Sequence, residues 1–430
     1  MAHRIQNFES LATNALRTDA LAIAEAGYAA IDVGSALAHT LHKDDAALHV
    51  GAATYPLAGR RVFFVGVGKC AFAAAKAVET ILGDTLTGGV ALDVSPVEGA
   101  PLAKIEAYIG THPLPSEVNE DATKRIVEFL SGRREDDLVI MLISGGGSTL
   151  LCLHDAPMTC TDESTLWSEL TARGATIQDI NTVRKHISRA RGGGLAFAAY
   201  PAEVISLIVS DVPGNDLEFI ASGATVLDTS TVADAHAVLA RFGIALPANA
   251  TFKETPKDRK YFDRVTNTLF LTNQNALDAM RDAAAARGYA AGIADAAFAG
   301  EARDTGRAVV EKLHGAPAKS AFLYAGESTV TLGSEHGAGG RNQELALAAL
   351  ADVRDDELVL SFASDGHDNT DLAGAIGDAA TRLHAAAHHL SPEEFLAGHR
   401  AYDFFKETGD GLVTGYTGSN VSDLIIAIKQ

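Results

Sequence analysis

The chain predicts an α/β fold, and three observations carry that expectation. Short apolar runs recur along it, among them RRVFFVGVG, GGVALDVS, DLVIMLIS, AEVISLIVSD, SAFLYAGE, ELVLSFASDG and SDLIIAIKQ. Ala-rich stretches with helical spacing alternate with these runs, and several runs end directly in glycines. Strands that are apolar on both faces, each followed by a helix, indicate layers of helix on mainly parallel sheet.

With 430 residues the chain has room for two or three domains. An apolar share of 47% against 21% charged residues belongs to a globular chain able to bury large cores. Cys70, Cys152 and Cys160 form no CxxC pair, so neither a disulfide framework nor a thiolate zinc site is expected, and a reducing compartment fits. The N-terminal stretch mixes charges into a helical pattern, and no apolar run nears the ~18 residues that span a bilayer. A cytoplasmic protein with no membrane partner is expected. The net charge of −20 opposes nucleic-acid binding. An anionic substrate must then be held by a few placed cations or by backbone N–H groups.

Prolines and a charge run without apolar periodicity mark LPANATFKETPKDRKYFDRV, residues 246–265, as the break between domains spanning 1–245 and 246–430. The first glycine turn is VGVGKCA, residues 65–71. Gly66, Gly68 and Ala71 satisfy G-x-G-x-x-A, and Asp93 ends the next strand where a ribose-binding acid would stand. That pattern suits NAD. Lys69, in the mouth of the turn, suits nucleotide phosphates or a transferring phosphoryl group instead, although no Walker A loop is present.

The second turn, SGGGST, follows DLVIMLI. Gly145, Gly146 and Gly147 allow backbone N–H groups to converge on an anion, with Ser144 and Ser148 as further donors and a helix start behind them. The alternative is a tight turn with a hydroxyl cap. Next comes NTVRKHISRARGGGLA, where Arg184, Lys185, Arg189 and Arg191 make a positive island in an acidic chain. It reads either as an anion site or as a solvated helix face.

Asp211 stands at the end of VISLIVS, where α/β folds place functional groups, with Asp216 and ASGAT close by. In the second half, Glu327 and Asp365 hold comparable strand ends, with Asp368 and Asp371 beside the latter. Arg341 enters from a Gly-rich loop at the head of an amphipathic helix, with Asn342 and Gln343 as further donors. Carboxylates near phosphate loops are what Mg²⁺ requires. His384 and His388 lack an HExxH pattern, GESTV and GGSTL lack the last glycine of a nucleophile elbow, and Cys70 reads as a packed helix residue.

Taken in order, GVGKCA, THPLPSE, LISGGGSTLL, NTVRKHISRARGGGLA, SDVPGNDLEFIASGAT, AGESTVTL, GGRNQELALA, SDGHDNTDLAGAIGD and GDGLVTGYTGSNVSDL resemble the class II glycerate kinases, the glycerate 2-kinase family with a C-terminal MOFRL domain. The resemblance covers nearly the whole chain. It implies a Rossmann-like α/β/α N-terminal domain and a smaller α/β C-terminal domain, with MOFRL at about 318–428, and ATP and Mg²⁺ in a cleft between them. The family's catalytic Lys and Arg fall on Lys69 and Arg341.

The expected reaction is phosphorylation of the 2-hydroxyl of D-glycerate to 2-phosphoglycerate. Asp211 would orient the hydroxyl or bind Mg²⁺ with Asp365. Ser144 to Ser148, Arg184, Lys185, Arg191 and Glu327 would hold phosphates and the substrate carboxylate. Ala224, Tyr416, the shortened DGHDNTD and GHRAYDFF depart from the family pattern. They keep two alternatives open: another sugar acid, such as erythronate or a tartrate-derived acid, and NAD(P)H-dependent hydroxypyruvate reduction, a label that family members often carry. Monomer and homodimer are both compatible with the sequence.

Overall fold

A computed structural model describes residues 3–96, 99–155, 157–333 and 336–430. They form two compact units, one of residues 33–270 and one joining residues 1–32 to 271–430. The expected division at 245/246 therefore moves to 270/271, and the N-terminal segment belongs with the C-terminal half. The cause is long-range. Arg17, on the helix Ala15–Ala30, is fully buried and donates to Asp378 and Asp410, each at 2.7 Å. The segment expected as a linker packs into the first unit instead: Thr255 Oγ1 donates to Asp228 Oδ2 at 2.9 Å, and Lys257 Nζ donates to Asp228 O at 2.9 Å.

The first unit opens with an antiparallel meander, β1 (Leu41–Lys43), β2 (Ala47–Val50) and β3 (Ala53–Pro56). Its main sheet comprises β4 (Val62–Val67), β5 (Leu86–Asp93), β6 (Ile105–Ile109), β7 (Leu138–Ile143), β8 (Glu203–Val209) and β9 (Val265–Leu271). Their order is β6-β5-β4-β7-β8-β9. β4 runs parallel to β5 and β7, β5 to β6, and β7 to β8. Every residue of β4 and β7 is buried, which is why these runs are apolar throughout rather than alternating. Burial of each large apolar side chain contributes roughly 1.5–3 kcal/mol. The chain starts at the sheet centre, works outward through β5 and β6, then returns to β7 and proceeds the other way. This is the doubly wound order, and it leaves a crevice beyond the carboxyl ends of β4 and β7.

The second unit has its own sheet of β10 (Ala290–Glu301), β11 (Ser320–Thr329), β12 (Glu357–Ala363), β13 (Gly374–Asp378), β14 (Gly411–Leu412) and β15 (Asp423–Lys429), in the order β10-β11-β15-β12-β13-β14. β10 and β11 are parallel; the other described pairings are antiparallel. The expectation of mainly parallel sheet holds in the first unit and fails here. The last strand of the chain inserts between β11 and β12, so that Leu424 lies opposite both Ala325 and Phe362.

The helix Arg341–Leu350 is buried from Asn342 onward, rather than amphipathic as expected. Two glycines admit its close packing. A Cβ at Gly306 would lie 2.5 Å from Leu345 O, and one at Gly377 would lie 2.7 Å from Ala346 O. Among the described residues, no single helix is long and apolar enough to cross a membrane.

Candidate active site

The two glycine turns of the first unit meet at the switch point, one after β4 and one after β7. Gly68 has φ +113°, and a Cβ there would lie 2.2 Å from Ser144 Oγ, so only glycine fits. The turns are knitted together. Lys69 N donates to Gly145 O (3.0 Å), Cys70 N to Ser144 Oγ (3.2 Å) and Ser144 N to Val67 O (2.9 Å). Ser144 is fully buried in this knot and does not offer its hydroxyl to a ligand, contrary to expectation. Cys70 is buried, as expected.

Gly146 is half-buried beside Lys69. It has φ +82°, and a side chain there would occupy the space beside Lys69, whose Cγ lies 3.5 Å from the Cβ position. Gly147 is pressed against Ala221, with 2.6 Å between the would-be Cβ and Ala221 Cβ. Ser222 Oγ lies 3.0 Å from Ser148 Oγ and 2.8 Å from Asn181 Oδ1. Ala221 and Ser222 have φ +47° and +52°, a left-handed conformation costing on the order of 1–3 kcal/mol per residue. The helix behind SGGGST, Gly147–Leu150, is a single turn. Its dipole adds little.

The positive island is not an open anion site. Arg191 is fully buried and donates to both oxygens of Glu163 (2.9 and 3.1 Å), while Arg184 Nε lies 3.1 Å from Glu163 Oε1. His154 Nε2 lies 2.7 Å from Glu163 Oε2. Burial alone would raise the Glu163 pKa, but Arg191, the His154 hydrogen bond and Arg184 overcome it and hold the carboxyl well below its ordinary range. Desolvation brings Arg184 down to about 10. Lys185 is buried against Asp228 (3.1 Å) and Glu218 (3.4 Å). The three cations expected to hold substrate therefore neutralise buried carboxylates. Arg191 also donates from Nε to Ser148 O at 2.8 Å, so the cluster braces the glycine turn from behind.

Cys152 and Cys160 form a disulfide with Cα atoms 6.5 Å apart, correcting the expectation of none. His154 completes a buried Cys–His–Cys group with candidate ligand atoms within 4.8 Å of one another, but the disulfide takes both sulfurs out of metal ligation. Asp211 is half-buried just beyond β8. Asp93 is buried, and its carboxylate accepts from Phe72 N (2.9 Å) and Val94 N (2.6 Å), with burial pushing its pKa up to about 6. It caps the helix Ala71–Leu82 from the side, so the carboxylate that would bind a ribose in the NAD reading is already engaged.

In the second unit, Arg341 starts its helix and is gripped by two carboxylates. Its Nε donates to Asp423 Oδ2 at 2.5 Å and its Nη1 to Glu327. Asp423 is buried and Glu327 exposed. Burial pushes the Asp423 carboxyl up to about 7 against the pull of Arg341, and its partners raise Arg341 in turn. Asp368 caps the helix by accepting from Asn342 N (3.1 Å) and Gln343 N (2.8 Å). Asp365 is half-buried beyond β12, and its Oδ1 accepts from His367 N at 3.1 Å. A cavity of about 690 Å³ is lined by Arg341, Glu327, Glu344, Asn369, His336 and His399. Asp423 lies inside GDGLVTGYTGSNVSDL and Ser222 inside ASGAT, with no sequence pattern giving either a partner.

Two family models match the chain: a domain of unknown function, DUF4147, over residues 19–253, and the MOFRL family over residues 320–423. A D-glycerate 2-kinase of Thermotoga maritima is 37% identical over 381 residues, spanning 86% of this chain and 90% of that one. The chain belongs to the glycerate kinase family. The crystal structure of a glycerate kinase from the same organism superposes with a TM-score of 0.82 at 32% identity, over 96% of this chain and 99% of that one. An Agrobacterium vitis relative, 39% identical over 382 residues (85% of this chain, 86% of that one), carries only the provisional label of hydroxypyruvate reductase. Within this glycerate kinase-family chain the MOFRL match runs from the start of β11 to Asp423 and so contains Glu327, Arg341 and Asp365.

Proposed function

We propose that this protein is an ATP-dependent kinase that phosphorylates the 2-hydroxyl of D-glycerate to give 2-phosphoglycerate. The observation that carries this reading is Lys69 beside Gly146 at the β4/β7 switch point, in a chain of the glycerate kinase family. Phosphoryl transfer asks a protein mainly to align the reactants and to neutralise charge on the equatorial oxygens. Lys69 and Arg341 are the cations proposed for that task. Asp423 holds the Arg341 guanidinium in orientation, and the exposed Glu327 is the partner that an incoming anion can replace. Gly145 to Gly147 keep side chains away from a phosphate, and Ser148 adds a hydroxyl.

Asp211, at the carboxyl end of β8, is proposed to orient the attacking hydroxyl. Asp211 and Asp365 carry the hard carboxylate oxygens that suit Mg²⁺, which when bound neutralises phosphate charge. Arg184, Lys185 and Arg191 have no ligand role in this proposal, because each is committed to a buried carboxylate.

Coupled detection of ADP with D-glycerate as acceptor tests the activity, and NMR of the product assigns O2 or O3. Lys69→Ala and Arg341→Ala are each expected to lower kcat by roughly 10²-fold or more, the scale of a single charge-stabilising group. A near-normal kcat in either variant removes that residue from the mechanism. A panel of longer sugar acids compared by kcat/KM tests the acceptor, and negligible turnover of D-glycerate beside a faster acid rejects it.

A further inference from the structure

The THPLPSE segment is not used by the mechanism above, yet its turn is built onto the SGGGST loop. β6 ends at Ile109, and the chain then runs through Gly110, Thr111 and His112 into Pro113. Asn119, fully buried on the helix Glu117–Leu130, clamps this turn. Its Oδ1 accepts from Thr111 N at 2.7 Å, and its Nδ2 donates to Thr111 O at 2.9 Å and to Thr149 O at 3.2 Å. Thr149 Oγ1 donates to Pro113 O at 3.2 Å. A Cβ at Gly110 would lie 2.5 Å from Leu150 Cδ2 and 3.0 Å from Asn119 Oδ1, so a side chain there would push on both.

Both flanks of His112 are thus fastened to residues of the glycine loop. The outcome is specific: the imidazole lies over Gly146, its Cδ2 3.4 Å and its Nε2 3.7 Å from where a Cβ would stand, with Lys69 Cγ 3.5 Å from the same point. His112 is exposed, while the amide that fixes its turn is buried. The clamp uses backbone groups of Thr111 and Pro113, so it would hold with many side chains at position 112.

We propose that His112 is a further ligand-binding residue of the site, donating a hydrogen bond to an oxyanion that it holds together with Lys69 over Gly146, with Asn119 as its positioning residue. The ligand is a carboxylate or phosphate oxygen, which in the proposed reaction belongs to the sugar acid or to the nucleotide. The proposal rests on that reading only for the identity of the anion.

The test compares the full-length wild type with His112→Ala and His112→Gln. Each is titrated calorimetrically with D-glycerate, ATP and inorganic pyrophosphate in turn, and KM and kcat are measured where turnover is seen. Loss of a hydrogen bond to a charged group should weaken one of these ligands by roughly 10- to 100-fold in His112→Ala. The matching KM should rise more than kcat falls, and His112→Gln, which keeps a donor, should recover most of the loss. A loss confined to D-glycerate assigns the carboxylate, and one shared by ATP and pyrophosphate assigns the phosphate; either supports the proposal. If wild type forms no ADP with D-glycerate, the kinase reading falls, but the pyrophosphate titration still decides the role of His112. Equal affinities of wild type and His112→Ala for all three probes, or binding of none of them, overturn it.

Discussion

Glu163 shows how a single residue can redirect the meaning of a motif. It is fully buried, and two arginines and a histidine converge on it. Removing one partner of a buried charge cluster leaves the others desolvated and unpaired, which costs about 3–5 kcal/mol. Glu163→Gln should lower stability by that order at neutral pH, read by urea unfolding. Because folding lowers the Glu163 pKa, its contribution is present above the ordinary value of 4.5 and is lost on acidification. The gap between wild type and variant should narrow as pH falls below 4.5. A constant gap would mean the carboxylate charge is not what the arginines need. The cations at 184, 185 and 191 were legible as a cluster, but their partners were not, since Glu163, Glu218 and Asp228 lie in other segments of the chain. Lys69 and Arg341 stood out as candidates because each sits in a glycine-rich loop.

The strands β4 and β7 could be read directly, because burial on both faces demands an unbroken apolar run. The helix Arg341–Leu350 could be placed but not understood. Its first turn buries Asn342, Gln343 and Glu344, which a periodicity argument assigns to solvent. They are buried because each has a partner: Ser361 Oγ donates to Asn342 Oδ1 (2.7 Å), Gln343 binds Asp368, and Arg303 Nε donates to Glu344 Oε1 (2.6 Å). Gly340 is the point on which this arrangement turns. A Cβ there would lie 2.1 Å from both Cγ and O of Asp368. Gly340→Ala should force the capping aspartate away, costing roughly 1–3 kcal/mol of overpacking strain and displacing Arg341. Melting temperature and kcat should fall together, and an unchanged kcat in a destabilised variant would separate the cap from the placement of Arg341.

At the scale of the molecule, the chain crosses between its units twice, since residues 1–32 join 271–430. Arg17 anchors this return, buried between Asp378 and Asp410, and Tyr28 OH adds a hydrogen bond to Ala363 O at 3.0 Å. Arg17→Ala should destabilise the second unit by about 3–5 kcal/mol. Hydrogen exchange should quicken in β13 and in residues 374–410 while β4 and β7 stay protected; uniform quickening would mean that the units unfold as one. The sequence by itself determined the α/β class, the buried parallel strands and the glycine turns, because these follow from local rules of burial and backbone space. Only the tertiary structure decided which cations are already neutralised, where β15 inserts and to which unit the first helix belongs. Those outcomes depend on charges and strands that meet across hundreds of residues, and no local pattern encodes such a meeting.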